Sequence, residues 1–283
     1  MTDMKKRRLG RTGPELSVVG FGGIIVRDEK PSSASRIVSQ AIERGINYFD
    51  VAPSYGNAEE RLGPALKPYR DSVFLACKTG QRTKGKAEVE LRKSLRLLQT
   101  DHFDLYQLHG VTTIEEVSKI MGSGGAIEAF VKAREQGLAK YLGFSAHSEE
   151  AAVALMEQFK FDSVLFPLNW VCWYQGNFGP RVIKKAQEKG VALLALKSLA
   201  KTKGKEQKWP KCWYKPLDTP EEVSLALRFT LSLPVTAAVS PSHAELLWMA
   251  CDAAAKFKPL SKKETAFLAE NSKGIEPIFG QKC

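Results

Sequence analysis

Residues 137–166 read GLAKYLGFSAHSEEAAVALMEQFKFDSVLF. Lys140–Phe144 (KYLGF) and Ser163–Phe166 (SVLF) are short runs of β-forming residues, and Glu149–Phe159 between them carries apolar residues at helical spacing. Strand, helix and strand in succession make one β-α-β unit, which sets two strands side by side in parallel. The same alternation runs outward in both directions. Upstream strands are expected at Ser17–Gly20, Asn47–Asp50, Val73–Cys77 and Phe103–Leu108, and downstream strands at Val191–Leu196 and Val235–Val239, for eight in all. Helices are expected at Ser33–Arg44, Ala58–Leu66, Ala87–Leu98, Ala126–Gln136, Pro180–Glu188, Pro220–Leu231 and Ala244–Lys256. Gly45, Gly137 and Gly190 stand where a helix must stop before the next strand, and a left-handed glycine stops it.

From Asn47 to Val235 six strand-to-strand steps cover 188 residues, or about 31 each, the length of one β-α unit. Eight such units predict a closed (β/α)8 TIM barrel in the α/β class. An open doubly wound sheet would need a G-x-G-x-x-G fingerprint after its first strand, and Gly20-Phe21-Gly22-Gly23 does not supply one. RRLG and ELSVVG around Arg11–Pro14 read as a β-hairpin that covers the barrel bottom. No Pro-, Gly- or Ser-rich linker divides the chain, so residues 1–283 are expected to form one domain. The polar tail 259–283 is expected to pack near the pocket or to fray.

With 43% hydrophobic and 26% charged residues, the composition excludes a disordered chain and a small disulfide scaffold. A net charge of +11 favours anionic partners such as phosphates and nucleotides. Cys77, Cys172, Cys212, Cys251 and Cys283 are odd in number and contain no C-x-x-C pair, which points to reduced thiols and a cytoplasmic setting. MTDMKKRR leads into no apolar segment, and the stretch Ser17–Val26 is about half the ~20 residues of a membrane span. Neither an export signal nor a membrane helix is expected.

Barrel chemistry sits at the C-terminal ends of the strands. Asp50 ends the second strand, Tyr55 follows in DVAPSYGNAEERLG, Lys78 ends the third in LACKTG, and His109 ends the fourth in DLYQLHG. Each alone has an ordinary structural role, but four ionisable residues at consecutive barrel positions point to a site. The set suits reduction of a carbonyl. A phenol is a poor acid at neutral pH unless a cation stabilises its phenolate, and Lys78 can supply that cation. Asp50 would keep the ammonium charged, His109 would donate to the carbonyl oxygen, and Tyr55 would give the proton. No side chain provides a hydride, so a nicotinamide cofactor is implied.

The segments RRLGRTGPELSVVGFGG, GINYFDVAPSYGNAEERLGPAL, KTGQRTKGKAEVELRKSLRLLQTDHFDLYQLHG and GLAKYLGFSAHS resemble the aldo-keto reductase family, over roughly Arg7 to Lys256. The resemblance implies a (β/α)8 barrel that reduces a small aldehyde or ketone with NADPH, NADH being the alternative, and a catalytic tetrad of Asp50, Tyr55, Lys78 and His109. It implies further cofactor contacts from Gly22 and Gly23 beside the nicotinamide riboside and from Asp50. Ser145 in GFSAHS would meet the carboxamide, followed here by Ala146 where the family often has Asn. Phe166 stands at the family's usual Gln, and Leu196-Lys197-Ser198-Leu199 replaces an aromatic residue under the ring, with Lys197 and Ser198 placed to bind the pyrophosphate. Trp248-Met249 occupies the family's Glu-Asn positions and reads first as helix packing, so recognition of an adenosine 2′-phosphate would fall to Ser240, Ser242 and His243. GxSxHS and the Lys after the seventh strand look like a bacterial sub-branch, and the lone Cys283 does not match the iron-sulfur members' cysteine cluster.

The segment Lys201–Pro216, KTKGKEQKWPKCWYKP, sets six lysines among Trp209, Trp213 and Tyr214. It reads as a lid or pocket wall after the seventh strand, ahead of a solvated loop and well ahead of a nucleic-acid patch. Trp170, Trp173 and Tyr174 add apolar surface at the same end, which fits a partly apolar or aromatic carbonyl substrate. Two rival functions remain in view. One is a metal-dependent hydrolase using Asp50, His109 and His147, disfavoured because Lys78 would repel a cation. The other is a nucleotide-binding, reductase-like sensor or partner subunit with little turnover. The sequence assigns no oligomeric state.

Overall fold

The computed structural model describes residues 4–281; Cys283 lies outside them. The strands Val19–Gly22, Tyr48–Asp50, Phe74–Thr79, Phe103–Val111, Ala139–Ala146, Ser163–Pro167, Ala192–Leu196 and Ala237–Val239 form a closed barrel. They run parallel in chain order, and the eighth closes on the first through Ala238↔Val19 and Val239↔Gly20. The helices Pro31–Glu43, Ala58–Leu66, Lys84–Leu97, Ala126–Glu135, Glu149–Gln158, Pro180–Lys189, Pro220–Ser232 and Ala244–Ala255 follow the strands and form the outer ring.

The first strand lies two residues later than expected. Ser17 belongs to an antiparallel hairpin in which Lys6–Arg8 pairs with Glu15–Ser17, so the barrel strand begins only at Val19. The hairpin brings Leu9 and Leu16 into the apolar interior beside Ala192 and Leu194, which stoppers the barrel bottom. The fourth strand also runs past its expected end. A register shift between Leu108 and Val111 carries it to Val111, and Gly110 takes φ +61° at the irregularity, a conformation easy for glycine.

Three helices add to the pattern: Ile114–Met121, Trp170–Tyr174 and Lys262–Ser272. The last lies in the expected polar tail. Ser261 and Glu264 form a capping box at its start, and Arg228 grips Glu264 at 2.7 and 3.1 Å. Ser-x-x-Glu was therefore a readable helix signal in a stretch without strong apolar periodicity.

Successive strand residues point to opposite faces. Tyr48, Ala76 and Leu105 belong to the interior apolar cluster. Two residues further along each strand, on the same face, come Asp50, Lys78 and Gln107. The register Asp50↔Ala76 and Lys78↔Gln107 keeps them adjacent. The barrel thus passes from apolar filling to polar groups over one pleat.

The helix Ala58–Leu66 packs on the end of Lys84–Leu97 through Gly63, where an added Cβ would stand 2.4 Å from the Leu97 carbonyl oxygen and 2.7 Å from Leu98 Cα. Alanine favours a helix over glycine by ~1 kcal/mol. Gly63→Ala should nonetheless destabilise the protein, by ~1–3 kcal/mol, because backbone must move to admit the methyl; the midpoint of urea unfolding reads the sign.

Candidate active site

Asp50 and Lys78 are each 1% exposed and form a salt bridge inside the barrel mouth. The carboxylate is held on its other oxygen by Gln107 Nε2 at 2.9 Å and by the Tyr48 hydroxyl at 3.3 Å. Lys78 Nζ also lies 3.5 Å from the Val51 carbonyl oxygen. Burial alone would lower the Lys78 pKa, but Asp50 and then Tyr55 overcome it and the ammonium is pushed up to about 12. It therefore stays charged throughout the physiological range.

Lys78 Nζ sits 5.3 Å from the centre of the Tyr55 ring, and the Tyr55 and His109 rings meet edge to face at 5.7 Å. All four residues of the predicted tetrad are thus brought together. Burial raises the Tyr55 pKa, Lys78 pulls it back, and the net effect is upward. The phenol is consequently protonated at neutral pH, with Lys78 placed to favour its ionised form once a proton leaves. His109 is lowered to about 3, by burial and then by Lys78, so its imidazole is neutral. Its Nδ1 lies 3.3 Å from Ser54 Oγ, and its carbonyl accepts from Arg82 at 2.8 Å, the arginine being paired with Glu116.

Ser145 Oγ accepts from Gly110 N at 2.8 Å and donates to the Leu108 carbonyl at 3.4 Å. It clamps the irregularity that carries His109. Gly22 N donates to Ser240 Oγ at 3.0 Å, joining the ends of the first and last strands. Gly23 lies so close to Val51 that a Cβ would stand 2.8 Å from its side chain. Ser198 and Leu199 are buried, and Lys197 holds φ +62° just after the seventh strand.

One expected position, Phe166, lies away from this cluster. Phe166 is fully buried on the outward face of its strand, stacked on Phe178 at 4.8 Å, because the strand's inward position falls to Leu165. Its surroundings are the helical layer. Trp248 packs under the Arg44 guanidinium at 5.1 Å, between the eighth and first helices of the outer ring, so helix packing accounts for it, as expected. His243 Nε2 accepts from Lys211 N at 3.1 Å.

The lysine-rich segment is an ordered roof. Ala200–Lys203 pairs with Tyr214–Pro216 as an antiparallel hairpin. Trp209, Cys212 and Tyr214 are buried, and Lys211 Nζ crosses to the Ile25 carbonyl at 2.8 Å and Glu29 at 2.9 Å. Of the segment's three aromatic rings, Trp209 and Tyr214 are buried and Trp213 is 45% exposed. The tail completes the wall. Phe279 stacks on His147 at 4.9 Å and on Phe178 at 5.7 Å, and meets Trp213 at 5.9 Å. Glu149 accepts from Gly179 N, Arg181 N and Gln281 Nε2, which ties the tail to two loops.

Sequence reasoning missed three participants. Gln107 was legible from alternation in DLYQLHG, since it shares a face with Leu105 and His109. His147 was considered only as a metal ligand, and nothing marked Phe279 as its partner. Among the described residues no group of three His, Cys, Asp or Glu side chains is placed to hold a metal ion, and no helix is long and apolar enough to cross a membrane. The four described cysteines are buried free thiols.

Residues 18–211 match the Aldo/keto reductase family. The chain belongs to that family. A Bacillus subtilis protein named uncharacterized oxidoreductase YqkF is 36% identical over 157 residues, covering 50% of this chain and 49% of the relative. L-galactose dehydrogenase of Arabidopsis thaliana is 29% identical over 51% of this chain and 49% of its own length. The matched part of this aldo/keto reductase thus spans about half the length of these curated relatives. Among solved structures, the holo form of aldo-keto reductase AKR11C1 from Bacillus halodurans superposes with a TM-score of 0.78 at 25% identity, over 97% of this chain and 98% of that one. Its apo form gives 0.72.

Removing one member of a buried ion pair strands the other charge, at a cost of ~3–5 kcal/mol. Asp50→Leu is accordingly expected to destabilise strongly, and adding Lys78→Met to recover much of the loss, both read by urea unfolding. His147 is lowered from 6.5 to about 4, by burial and then by Lys197. Its folded-state value lies below the unfolded one, so acid protonates the unfolded chain first. The stability due to the neutral ring is complete above pH 6.5 and falls as the pH drops toward 4, and His147→Gln should flatten that fall in a pH series of unfolding midpoints.

Proposed function

We propose that this protein is an NAD(P)H-dependent oxidoreductase that reduces an aldehyde or ketone to an alcohol, with Tyr55 as the proton donor. The observation that carries the reading is the convergence of a buried Lys78–Asp50 pair, Tyr55 and His109 at one barrel mouth.

The residues present fit a nicotinamide dinucleotide. Gly22 and Gly23 keep the first strand's end free of side chains, and Ser198, Ser240 and Lys197 bring hydroxyls and a cation to the neighbouring loops. These residues, with Asp50 and Ser145 beneath, would hold it, and the net charge of +11 favours NADPH. When bound, the reduced nicotinamide supplies the hydride. Phe166 and Trp248 are not part of the proposed contacts.

Neutral His109 donates a hydrogen bond to the carbonyl oxygen and orients it. Tyr55 delivers its proton to that oxygen as negative charge develops there. Lys78 stabilises the phenolate that remains, and Asp50, fixed by Gln107 and Tyr48, holds the ammonium in place.

Tyr55→Phe is expected to lower kcat by ~10²–10⁴-fold while NADPH binding, followed by tryptophan fluorescence, stays intact. Wild-type protein is titrated with NADPH and NADH, then assayed at the nicotinamide absorbance band with aldehydes, ketones and quinones. Binding with no turnover anywhere in that panel would replace the reductase by a nucleotide-binding sensor or partner subunit. No binding of either nucleotide would overturn both readings.

A further inference from the structure

The basic run Lys5-Lys6-Arg7-Arg8 and the following Arg11 take no part in the mouth, and the hairpin holds them at the opposite end of the barrel. There a cleft of about 260 Å³ lies between the hairpin, the end of the helix Pro180–Lys189 and the turn into the last strand. Arg7, Arg8 and Arg11 line it together with Gln187, and no acidic residue does. Among the described residues none of these three arginines is in an ion pair, whereas Arg44, Arg70, Arg82 and Arg228 each hold a carboxylate. The neighbouring acids leave the cleft positive. Glu15 stands opposite Arg8 in the hairpin register but outside the lining, and Glu188, next to Gln187, is taken by Lys185 at 3.2 Å.

Two of the cations are held by helix ends. Arg7 is half-buried, and its Nη1 and Nη2 donate to the Val235 and Leu231 carbonyls at 2.8 Å each, with Phe257 covering the guanidinium at 5.5 Å. Burial pushes its pKa down from 12.5, with no carboxylate to offset the cost. Arg11 arches over the end of the neighbouring helix, its Nε 3.9 Å from where a Cβ on Gly190 would stand. The partial negative charge of a helix C-terminus answers only part of a full cation. A guanidinium also carries five N–H groups, so two carbonyls do not exhaust Arg7.

We infer that this cleft is an anion site at the far end of the barrel from the mouth, and that its ligand is a compact diphosphate group. Guanidinium forks bind phosphate oxygens in pairs, and three of them suit a group that presents two phosphates. The volume lies below the ~300–1,000 Å³ of sites for drug-sized ligands, which fits a compact one. A diphosphate can arrive in solution or on a lipid. None of the exposed large apolar residues, Val89, Ile114, Trp213 and Phe267, lines the cleft to anchor in a bilayer, so the soluble ligand is favoured. No residue of the cleft belongs to the proposed cofactor contacts, and the inference stands whether or not the reductase reading does.

Inorganic pyrophosphate is titrated by calorimetry into wild type, the double variant Arg8→Gln/Arg11→Gln, and Lys197→Met, whose change lies at the mouth. Wild type should bind, more weakly as salt rises. The double variant keeps Arg7 and its two carbonyl contacts, so its urea midpoint should match that of wild type while its Kd rises by ~10–100-fold, as expected for lost charge-assisted contacts. Lys197→Met should bind as wild type does. Absence of binding to wild type, or a Kd that the double variant leaves unchanged, overturns the inference. Weakened binding in Lys197→Met alone assigns the anion to the mouth and overturns it too. Sulfate bound as tightly as pyrophosphate would reduce the cleft to general charge attraction, against the inference. Vesicles of phosphatidylcholine and phosphatidic acid supply the last arm: wild type that sediments with them through Arg8 and Arg11, yet binds no soluble pyrophosphate, makes this face a membrane surface and overturns the site.

Discussion

The salt bridge between Lys78 and Asp50 is the constraint on which the mouth of this barrel depends. Two opposite charges lie 1% exposed above a layer filled by Tyr48, Ala76 and Leu105. Desolvating both is expensive, so the pair persists only because each remaining polar contact is supplied. Gln107 and Tyr48 serve the carboxylate, and the Val51 carbonyl lies beside the ammonium. Those partners come from the second and fourth strands, which flank the strand of Lys78, and from the loop after the second. The register of the parallel sheet is thus fixed by polar complementarity as well as by filling. A one-residue slip would turn Lys78 out into the helical layer.

Above that pair the protein builds in a different manner. Strands set Asp50, Lys78, Gln107 and His109, whereas loops and the tail set Tyr55, Lys197, Trp213 and Phe279. The loop residues are held by contacts between distant segments: Lys211 on Ile25 and Glu29, Gln281 on Glu149, Ser145 on the backbone around His109. Rigid floor and assembled roof divide the work, the floor fixing the proton-transfer groups and the roof walling the mouth around them.

This division explains what could be read from sequence. The eight strands and their helices follow local rules of periodicity and capping, and the closed barrel and the tetrad were legible because strand ends are fixed by chain order. Gln107 was legible too, by the same alternation that exposed Lys78. Phe166 was assigned by resemblance to a position whose side chain points elsewhere, since strand parity, not alignment, decides which way it faces. The stack of Phe279 on His147 and the posture of Lys197 over Trp213 had no local signal at all. Each joins residues far apart in the chain, and only the tertiary fold brings them within reach.

The hairpin at the barrel bottom and the Phe279 segment at the mouth put the two described ends of the chain on opposite faces of the molecule. A tether or fusion attached before Met4 would therefore hang below the stopper formed by Leu9 and Leu16, remote from the chemistry. One attached after Gln281 would stand beside the entrance and load the strap that closes it. Immobilised by its amino-terminal side, the protein would present an open-facing mouth to solution; immobilised by the other, it would turn its entrance toward the support.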